Sequence, residues 1–375
     1  MIKAKTSEKV LRRGQRTGFT TGACAAAAAR AATLGLIHGQ IPDLVEVLLP
    51  NGQWVRFPVA EGEAGNGWAQ AVVIKDAGDD PDCTHGARLT ARVQPLPDKP
   101  GEIAVLGGDG VGLVTRPGLG LPLGEAAINP VPRRSIAGNV QAVADRWLAE
   151  SGLEIRISVP GGVEMARHTL NPRLGIVGGI SILGTSGIVH PYSTSAFKAA
   201  IGQSIQAAAA QGVSTLVLTT GRRSERFAMT ARPDLPEYAF VQMGDFVGAA
   251  LAGVATAAIP ALVVAAMVGK LAKIGQGLTN THAHKESVDM AWIARLARQI
   301  GGREELCQRI RSGVTVRFAA ESLAEQGLEQ AFIQALLRSA AQAIQPRLPA
   351  TTHLTLLAFD FEGNRLDAWQ TPTGG

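Results

Sequence analysis

The segment from Gly118 to Arg134 constrains the fold of this chain more than any other feature of the sequence. Its seventeen residues include three glycines, three prolines, one carboxylate and two adjacent arginines. Each proline removes a backbone donor and fixes φ, whereas glycine permits positive φ, so the segment predicts a rigid irregular loop and excludes a regular helix or a central strand. Backbone amides beside Arg133 and Arg134 predict a site for a carboxylate or a phosphate, unless the arginines are simply solvated.

Composition limits the classes of partner. The chain has 375 residues, which predicts two domains, and a net charge of +5, which favours an acidic partner. We expect no nucleic-acid partner, because no basic run is interleaved with aromatic residues. We expect no membrane segment, because Pro260 divides the uncharged run Phe246–Gly269 into a helix and a buried strand. Three cysteines without a CxxC motif predict a reducing compartment and a cytoplasmic location.

The first half of the sequence predicts an α+β domain over residues 1–172. An alanine-rich helix over Ala23–Leu34 is followed by strand-like segments, and the first two of these form a hairpin around Pro50-Asn51-Gly52. A second helix is expected over Ala137–Ser151. Because most of these strands have no long helix between them, they fit an α+β arrangement better than an alternating one.

The second half, residues 173–375, predicts a doubly wound, Rossmann-like, mostly parallel sheet. Strands and helices alternate here, which is typical of parallel sheets with right-handed crossovers. We expect strands over Gly175–Leu183, Thr215–Thr219, Ala239–Gln242, Ala261–Ala266 and His353–Phe361. The first of these strands would open the sheet, and a largely helical segment would precede the last.

Glycine follows four of the predicted strands, at the edge where such sheets bind ligands. The four turns are Gly184-Thr185-Ser186-Gly187, Thr220-Gly221-Arg222-Arg223, Gly244-Asp245 and Gly269-Lys270. A single glycine of this kind is explained by the need for a short turn, but the four turns together predict a ligand crevice. Val264 stands where a P-loop needs glycine, and Leu113 replaces the third glycine of GxGxxG, so phosphate binding by these loops is not supported.

Further candidates lie at a helix terminus and in polar loops. Thr20, Thr21 and Gly22 precede the alanine-rich helix, where free amides and the helix dipole would favour an anion. In the first turn of that helix Cys24 is either a nucleophilic thiolate or a small buried residue. The pair His282 and His284 can contribute proton transfer or be ordinary loop residues. No spacing of ligands predicts a protein-bound metal.

Five motifs follow one another along nearly the whole chain: Arg16–Ala29, Pro117–Arg133, Asn171–Gly187, Thr220–Arg223 and Gly269–Lys273. On these motifs the chain resembles the CbiD family of cobalamin biosynthesis. The long motifs are highly specific. One departure is Ala126, where the family pattern has proline.

The resemblance implies an S-adenosylmethionine-dependent methyltransferase that acts on ring carbon C-1 of cobalt-precorrin-5B and forms cobalt-precorrin-6A in the early-cobalt-insertion route. S-adenosylmethionine would be a co-substrate, and cobalt would enter only as part of the corrinoid substrate. Carboxylates around the rim of a tetrapyrrole would suit a basic protein with paired arginines. A sulfonium donor already has a good leaving group. Catalysis would therefore mainly require alignment of the methyl group with the ring carbon, and a base where a proton must leave.

On this basis the second domain is expected to hold the donor and the first domain the tetrapyrrole. The expected donor residues are Gly184, Thr185, Ser186, Gly187, Thr220, Gly221, Gly244 and Asp245. The expected substrate residues are Thr20, Thr21, Gly22, Gly118, Gly120, Asn129, Arg133, Arg134, Arg222 and Arg223. The candidates for a base are Asp109, Glu125, His190, His282 and His284. Asp245 is the candidate acceptor for a ribose hydroxyl or an amino group of the donor.

Two other functions stay open from the residues themselves. One is a phosphoryl-transfer enzyme that uses the Gly107–Gly124 loop as a phosphate cradle, and the other is a non-catalytic corrinoid carrier. The missing nucleotide motifs count against the first, and the four glycine-rich strand ends count against the second. The sequence leaves open a homo-oligomer and transient contacts with neighbouring pathway enzymes.

Overall fold

A computed structural model describes residues 14–282 and 287–372. The chain divides into two compact units, unit 1 ending at Ser193 and unit 2 beginning at Thr194. This division falls later in the chain than the expected boundary between residues 172 and 173. The reason is that residues 176–189 form short strands that pair with Gly18–Phe19, Gly110–Val111 and Leu113–Val114 of unit 1, instead of opening the second sheet.

The elements of unit 1 are β1 (Gly18–Phe19), α1 (Thr21–His38), β2 (Leu44–Leu48), β3 (Trp54–Pro58), β4 (Glu61–Gly65), β5 (Trp68–Ile74), β6 (Arg88–Leu96), β7 (Ile103–Gly107), β8 (Gly110–Val111), β9 (Leu113–Val114), α2 (Pro130–Leu148), β10 (Gly152–Ser158), α3 (Gly162–Ala166), α4 (Asn171–Leu174), β11 (Ile176–Val177), β12 (Gly179–Ile180) and β13 (Ile188–Val189). The elements of unit 2 are α5 (Thr194–Ala210), β14 (Thr215–Thr219), α6 (Arg222–Ala231), β15 (Phe240–Gln242), α7 (Val247–Thr256), β16 (Ala261–Met267), α8 (Val268–Gly275), α9 (Met290–Gln299), α10 (Glu304–Arg311), α11 (Val316–Ala324), α12 (Glu329–Ile344), β17 (His353–Phe359) and β18 (Arg365–Gln370).

Helix α1 is the centre of unit 1. Its N-cap is Thr20, whose hydroxyl accepts a hydrogen bond from the amide of Ala23, and it ends at Gly39, which has a positive φ. Alanines on all sides of the helix are fully buried, so it packs closely against α2, β5 and β6 at once. The described sheet beneath it has the order β4-β5-β6-β10-β7 and is antiparallel except between β10 and β7. The α+β expectation for this unit is confirmed.

The described sheet of unit 2 has the order β15-β14-β16-β17-β18 and is parallel except for the last strand. Alternate side chains of β16 enter two separate clusters, with Leu262 and Val264 in one and Val263 and Ala265 in the other. Helices therefore cover both faces of this sheet, as a doubly wound fold requires. The expectation of a mostly parallel sheet is confirmed.

Two local expectations are wrong. The continuous strand predicted over Gly175–Leu183 is broken, because Gly175 and Gly178 have positive φ and interrupt the pairing. The predicted loop does not reach Arg134, because α2 begins at Pro130, a residue whose fixed φ suits the first turn of a helix. Among the described residues no helix has the length and apolar character needed to cross a bilayer.

Candidate functional site

The carboxyl edge of the unit 2 sheet contains a topological switch point. Along the chain β14 is followed by β15 on one side and then by β16 on the other, so the connections leave the sheet in opposite directions. Open α/β sheets bind ligands at such a point. The loops that meet there include Thr220-Gly221, Gly244-Asp245 and Gly269-Lys270, so three of the four predicted turns share this edge.

An ion pair joins the two loops that flank β14. The ammonium group of Lys270 pairs with the carboxylate of Asp245, and Thr281 Oγ1 donates to the same carboxylate oxygen at 3.0 Å. Lys270 Nζ also donates to the carbonyl oxygen of Thr281 at 3.0 Å. Partial burial acts to raise the pKa of Asp245, but the hydrogen bonds from Lys270 and Thr281 outweigh it and hold that pKa below its ordinary value. The carboxylate is therefore ionised and fixed in place at neutral pH.

The end of β14 carries polar groups that lack internal partners. Thr219 is fully buried, and its hydroxyl has no hydrogen-bond partner among the described residues. Gly221 has a φ of 155°, and a Cβ built there would touch nothing, so the backbone has open space in front of it. Arg222 and Arg223 follow as exposed residues in the first turn of α6. Within the described ranges, one strand end therefore combines a hydroxyl without a partner, an open backbone and two cations that make no ion pair.

A pocket of about 810 Å³ opens farther along the same edge, beyond β16 and β17. It is lined by apolar side chains from four segments and by seven charged side chains. The lining residues include Lys270, Lys273, Val314, Arg317, Glu321, Glu329, Asp360, Phe361 and Glu362. Its volume is within the range of pockets that hold small ligands. Lys270 belongs both to this pocket and to the ion pair at the switch point.

Most residues that line this pocket were not predicted from the sequence. The Gly269-Lys270 turn was a detectable signal, because it follows a predicted strand. Residues 314–317 gave none, since they lie at the start of an ordinary amphipathic helix and reach the strand ends only through tertiary packing.

In unit 1 three segments that are distant in sequence converge. The amide of Gly22 donates to the carbonyl of Leu183 at 3.0 Å, and the amide of Asn129 donates to the carbonyl of Ile182 at 2.9 Å. A Cβ added at Gly22 would lie 2.7 Å from the side chain of Pro132, so the N-terminal turns of α1 and α2 touch there. The structure thus brings residues 20–22, residues 129–134 and residues 181–187 together.

The turn Gly184–Gly187 lies in this cluster and not at an end of the parallel sheet. Thr20 donates its amide hydrogen to the carbonyl of Gly187 at 3.0 Å, and a Cβ at Gly184 would collide with the Thr20 side chain. The prediction that Gly184, Thr185, Ser186 and Gly187 follow a strand of the second sheet is therefore wrong.

The prediction of free groups at the N-terminus of α1 is also wrong. Thr20 and Thr21 are buried, and the Thr21 hydroxyl bonds to backbone atoms of Ser181 and Leu183. The helix terminus is satisfied by protein instead of by solvent. Burial raises the pKa of the Cys24 thiol to about 12, so this residue is the small buried side chain and not a thiolate.

The loop before α2 is irregular, as predicted up to Asn129. Gly118 and Gly120 have φ values of 107° and 66°, which glycine adopts without strain. Arg133 donates to the carbonyl of Val105 at 2.6 Å and lies 3.7 Å from the Glu125 carboxylate. Arg134 is exposed and makes no hydrogen bond or ion pair within the described residues, so it is the arginine of the pair that is available to a ligand.

The base candidates are spread over both units. Asp109, Glu125 and His190 are exposed residues of unit 1, and His282 is an exposed residue of unit 2 beside the Asp245 cluster. His284 lies outside the described residues. Over the described residues no group of three or more His, Cys, Asp or Glu side chains is arranged to hold a metal ion.

Two family models and several known proteins match this chain. The CbiD family model matches residues 8–191, and the model described as the CbiD C-terminal domain matches residues 280–370. The chain is 55% identical to a cobalt-precorrin-5B C(1)-methyltransferase of Dechloromonas aromatica over 96% of this chain and 94% of that protein. It is 54% identical to a protein of the same name from Methylococcus capsulatus over 94% of this chain and 93% of that protein.

A solved structure also matches. It is the 1.9 Å crystal structure of the cobalamin biosynthesis protein CbiD from Archaeoglobus fulgidus, with 30% sequence identity and a TM-score of 0.39. The match covers 73% of this chain and 87% of that chain.

Proposed function

Since the chain belongs to the CbiD family, we propose that it is the S-adenosylmethionine-dependent methyltransferase that methylates ring carbon C-1 of cobalt-precorrin-5B. The observation that carries this proposal is the 55% identity to a protein of that name over 96% of the chain. Cobalt then enters as part of the substrate. A cytoplasmic location fits the three free cysteines, which form no disulfide in the described residues.

S-adenosylmethionine carries the methyl group on a sulfonium. When the methyl group is transferred, the rest of the molecule leaves as a neutral thioether, so the leaving group requires no acid. The protein therefore has to align the methyl carbon with the ring carbon and to exclude water from the reacting pair. This requirement accounts for a site that is built from glycine turns and fixed ions and has no nucleophile, in keeping with the buried, protonated Cys24.

We place the donor in unit 2, at the switch point between β14 and β16. The buried Thr219 hydroxyl lacks a partner, and a polar group of the donor would supply one. The open backbone at Gly221 permits close approach, with Thr220 on one side and Gly244 on the other. Asp245, held ionised by Lys270, would accept a hydrogen bond from a ribose hydroxyl or from the amino group.

We place a carboxylate of the tetrapyrrole on Arg134 of unit 1, which is exposed and makes no ion pair with the described residues. A guanidinium group can bind a carboxylate through two parallel hydrogen bonds. Residues 20–22 and 184–187 act indirectly, because they hold each other and the first turn of α2, which carries Arg134.

The experiment that tests the function is a direct assay of product. Purified protein is incubated with S-adenosylmethionine and cobalt-precorrin-5B, and the tetrapyrrole is analysed by mass spectrometry. The expected result is a gain of one CH₂ unit that is absent when either reactant or the protein is omitted. A tetrapyrrole of unchanged mass would overturn the proposal. Binding of ATP in place of S-adenosylmethionine would instead support the phosphoryl-transfer alternative.

A further inference from the structure

The pocket beyond β16 and β17 lies next to the proposed donor site but has no assigned ligand. Lys270 lines this pocket and also pairs with Asp245 at the switch point, so the two sites are adjacent. An extended donor can therefore reach from the switch point into the pocket. Phe361 is 48% exposed and Val314 is 93% exposed. Both line the pocket, so they offer contact area to the flat ring of a ligand.

The pocket lining has more acidic than basic side chains, whereas the protein as a whole is basic. The lining contains three cationic side chains, Lys270, Lys273 and Arg317, and four anionic ones, Glu321, Glu329, Asp360 and Glu362. The chain as a whole carries a net charge of +5. An excess of acid inside a basic protein disfavours a tetrapyrrole that is rich in carboxylates and favours a cationic ligand.

Most of the charges in the pocket are already engaged. Lys270 pairs with Asp245, Arg317 pairs with Glu321 at 2.7 Å, and the Asp360 carboxylate accepts hydrogen bonds from the amides of Gly363 and Asn364. Lys273 donates to the carbonyl of Thr281 at 3.1 Å. The carboxylates of Glu329 and Glu362 make no hydrogen bond or ion pair with the part of the chain that the structure describes, although Arg317, which is paired with Glu321, also attracts Glu362 by Coulomb interaction. Glu329 and Glu362 are therefore the two acids of the lining that can still act on a ligand.

We propose that this pocket receives the sulfonium donor and that Glu329 and Glu362 favour its positive charge over the neutral thioether product. The inference rests on the proposed function, because the donor and the thioether differ by one methyl group and one charge. A carboxylate at the pocket lining attracts the sulfonium by Coulomb interaction and has no comparable attraction for the thioether. Once the methyl group has been transferred, this attraction is lost, and the pocket then releases the product more readily than it would release the donor.

The test compares two ligands on the wild-type protein and two variants. Calorimetry measures the dissociation constants of S-adenosylmethionine and S-adenosylhomocysteine for the wild-type protein, for the Glu329→Gln/Glu362→Gln variant and for Phe361→Ala. The expected result is that the double variant weakens the sulfonium at least about threefold more than the thioether, since the lost attraction is between exposed charges. Phe361→Ala should weaken both ligands alike, because apolar contact does not depend on the charge.

The matched control is Glu305→Gln/Glu325→Gln, which removes the same charge from exposed positions of unit 2 that do not line the pocket. Equal loss of both ligands in the double variant, or the same selective loss in the control, would overturn the inference. So would unchanged affinity in all variants. The proposed function fails separately, if the wild-type protein binds the donor but leaves the mass of cobalt-precorrin-5B unchanged.

Discussion

Lys270 forms an ion pair with Asp245 although the two residues follow different strands of the unit 2 sheet. Their loops lie on either side of β14, so the pair closes over the end of that central strand. Both side chains remain about a quarter exposed, at 28% and 25%. A pair in this position contributes little to stability and is well placed to hold a ligand-binding carboxylate in one orientation.

Replacing Asp245 by Ala should weaken binding of S-adenosylmethionine about tenfold, because a fixed hydrogen-bond acceptor for the donor is lost. Calorimetry measures the affinity, and thermal unfolding is expected to change little because the ion pair is partly exposed. Asp234→Ala is the control, since it removes an exposed carboxylate paired with Arg232 elsewhere in unit 2. Equal donor affinity in Asp245→Ala and wild type would remove Asp245 from the site.

Arg134→Ala should raise the KM for the tetrapyrrole about fivefold and leave the melting temperature unchanged, because Arg134 is exposed and has no partner within the described residues. Arg133→Ala should instead lower the free energy of unfolding by about 1 kcal/mol, since the hydrogen bond to Val105 is lost. Arg146→Ala, at an exposed position in the last turn of the same helix, is the control. If Arg134→Ala and Arg146→Ala give the same KM, Arg134 does not contact substrate.

The side chain of Lys75 is fully buried, and its ammonium group donates to Asp82 at 2.7 Å. Asp82→Asn should lower the free energy of unfolding by about 3 kcal/mol, because it leaves a buried cation without its counter-ion. Chemical denaturation measures the loss. Glu46→Gln, which breaks the exposed pair with Arg56, should cost less than about 1 kcal/mol; a cost as large as that of Asp82→Asn would contradict the assignment to burial.

The same pair predicts how stability changes with pH. Burial acts to raise the pKa of Asp82, but hydrogen bonds from Lys75 and Thr84 outweigh it, so the pKa in the folded protein lies below the ordinary value. The stabilisation is therefore complete above the ordinary pKa of about 4 and is lost as the pH falls through the lower folded value. Denaturation curves between neutral and acidic pH should show this decline, and Asp82→Asn should reduce it.

Cys24 should be unreactive in the folded protein, because it is fully buried and its pKa is about 12. Titration with a thiol reagent should modify one cysteine in the native state, the exposed Cys83, and all three after unfolding. Cys24→Ala should retain methyl transfer. A large loss of activity in a variant that remains folded would show that the thiol takes part in the reaction.

The sequence alone was sufficient for much of the fold. The parallel strands of unit 2 were predicted because fully buried strands read as continuous β-branched runs, as in Ala261–Met267. Helix α1 was predicted because alanine has the highest helix propensity. The glycine turns at residues 221, 244 and 269 were placed correctly at one edge, since the carboxyl ends of parallel strands all face the same way.

The sequence did not predict the short strands of unit 1 or which of its segments meet at the N-termini of the helices. Residues 176–189 carry an apolar pattern that fits a core strand of either unit, and only the positive φ of Gly175 and Gly178 and the pairing with β1, β8 and β9 decide their place. For the same reason the sequence did not predict that the turn at residues 184–187 lies beside Thr20, because the hydrogen bond of Thr20 to Gly187, like those of Thr21 to Ser181 and Leu183, joins positions at least 160 residues apart.

The sequence by itself determined the family and the two kinds of unit. These depend on local propensity, hydrophobic periodicity and motif order, all of which are properties of the chain. Only the tertiary structure decided that Asp245 is held by Lys270, that Arg134 and not Arg133 is free, and that residues 314–317 reach the strand ends. Such facts depend on which distant segments meet, and side-chain availability is fixed by those contacts.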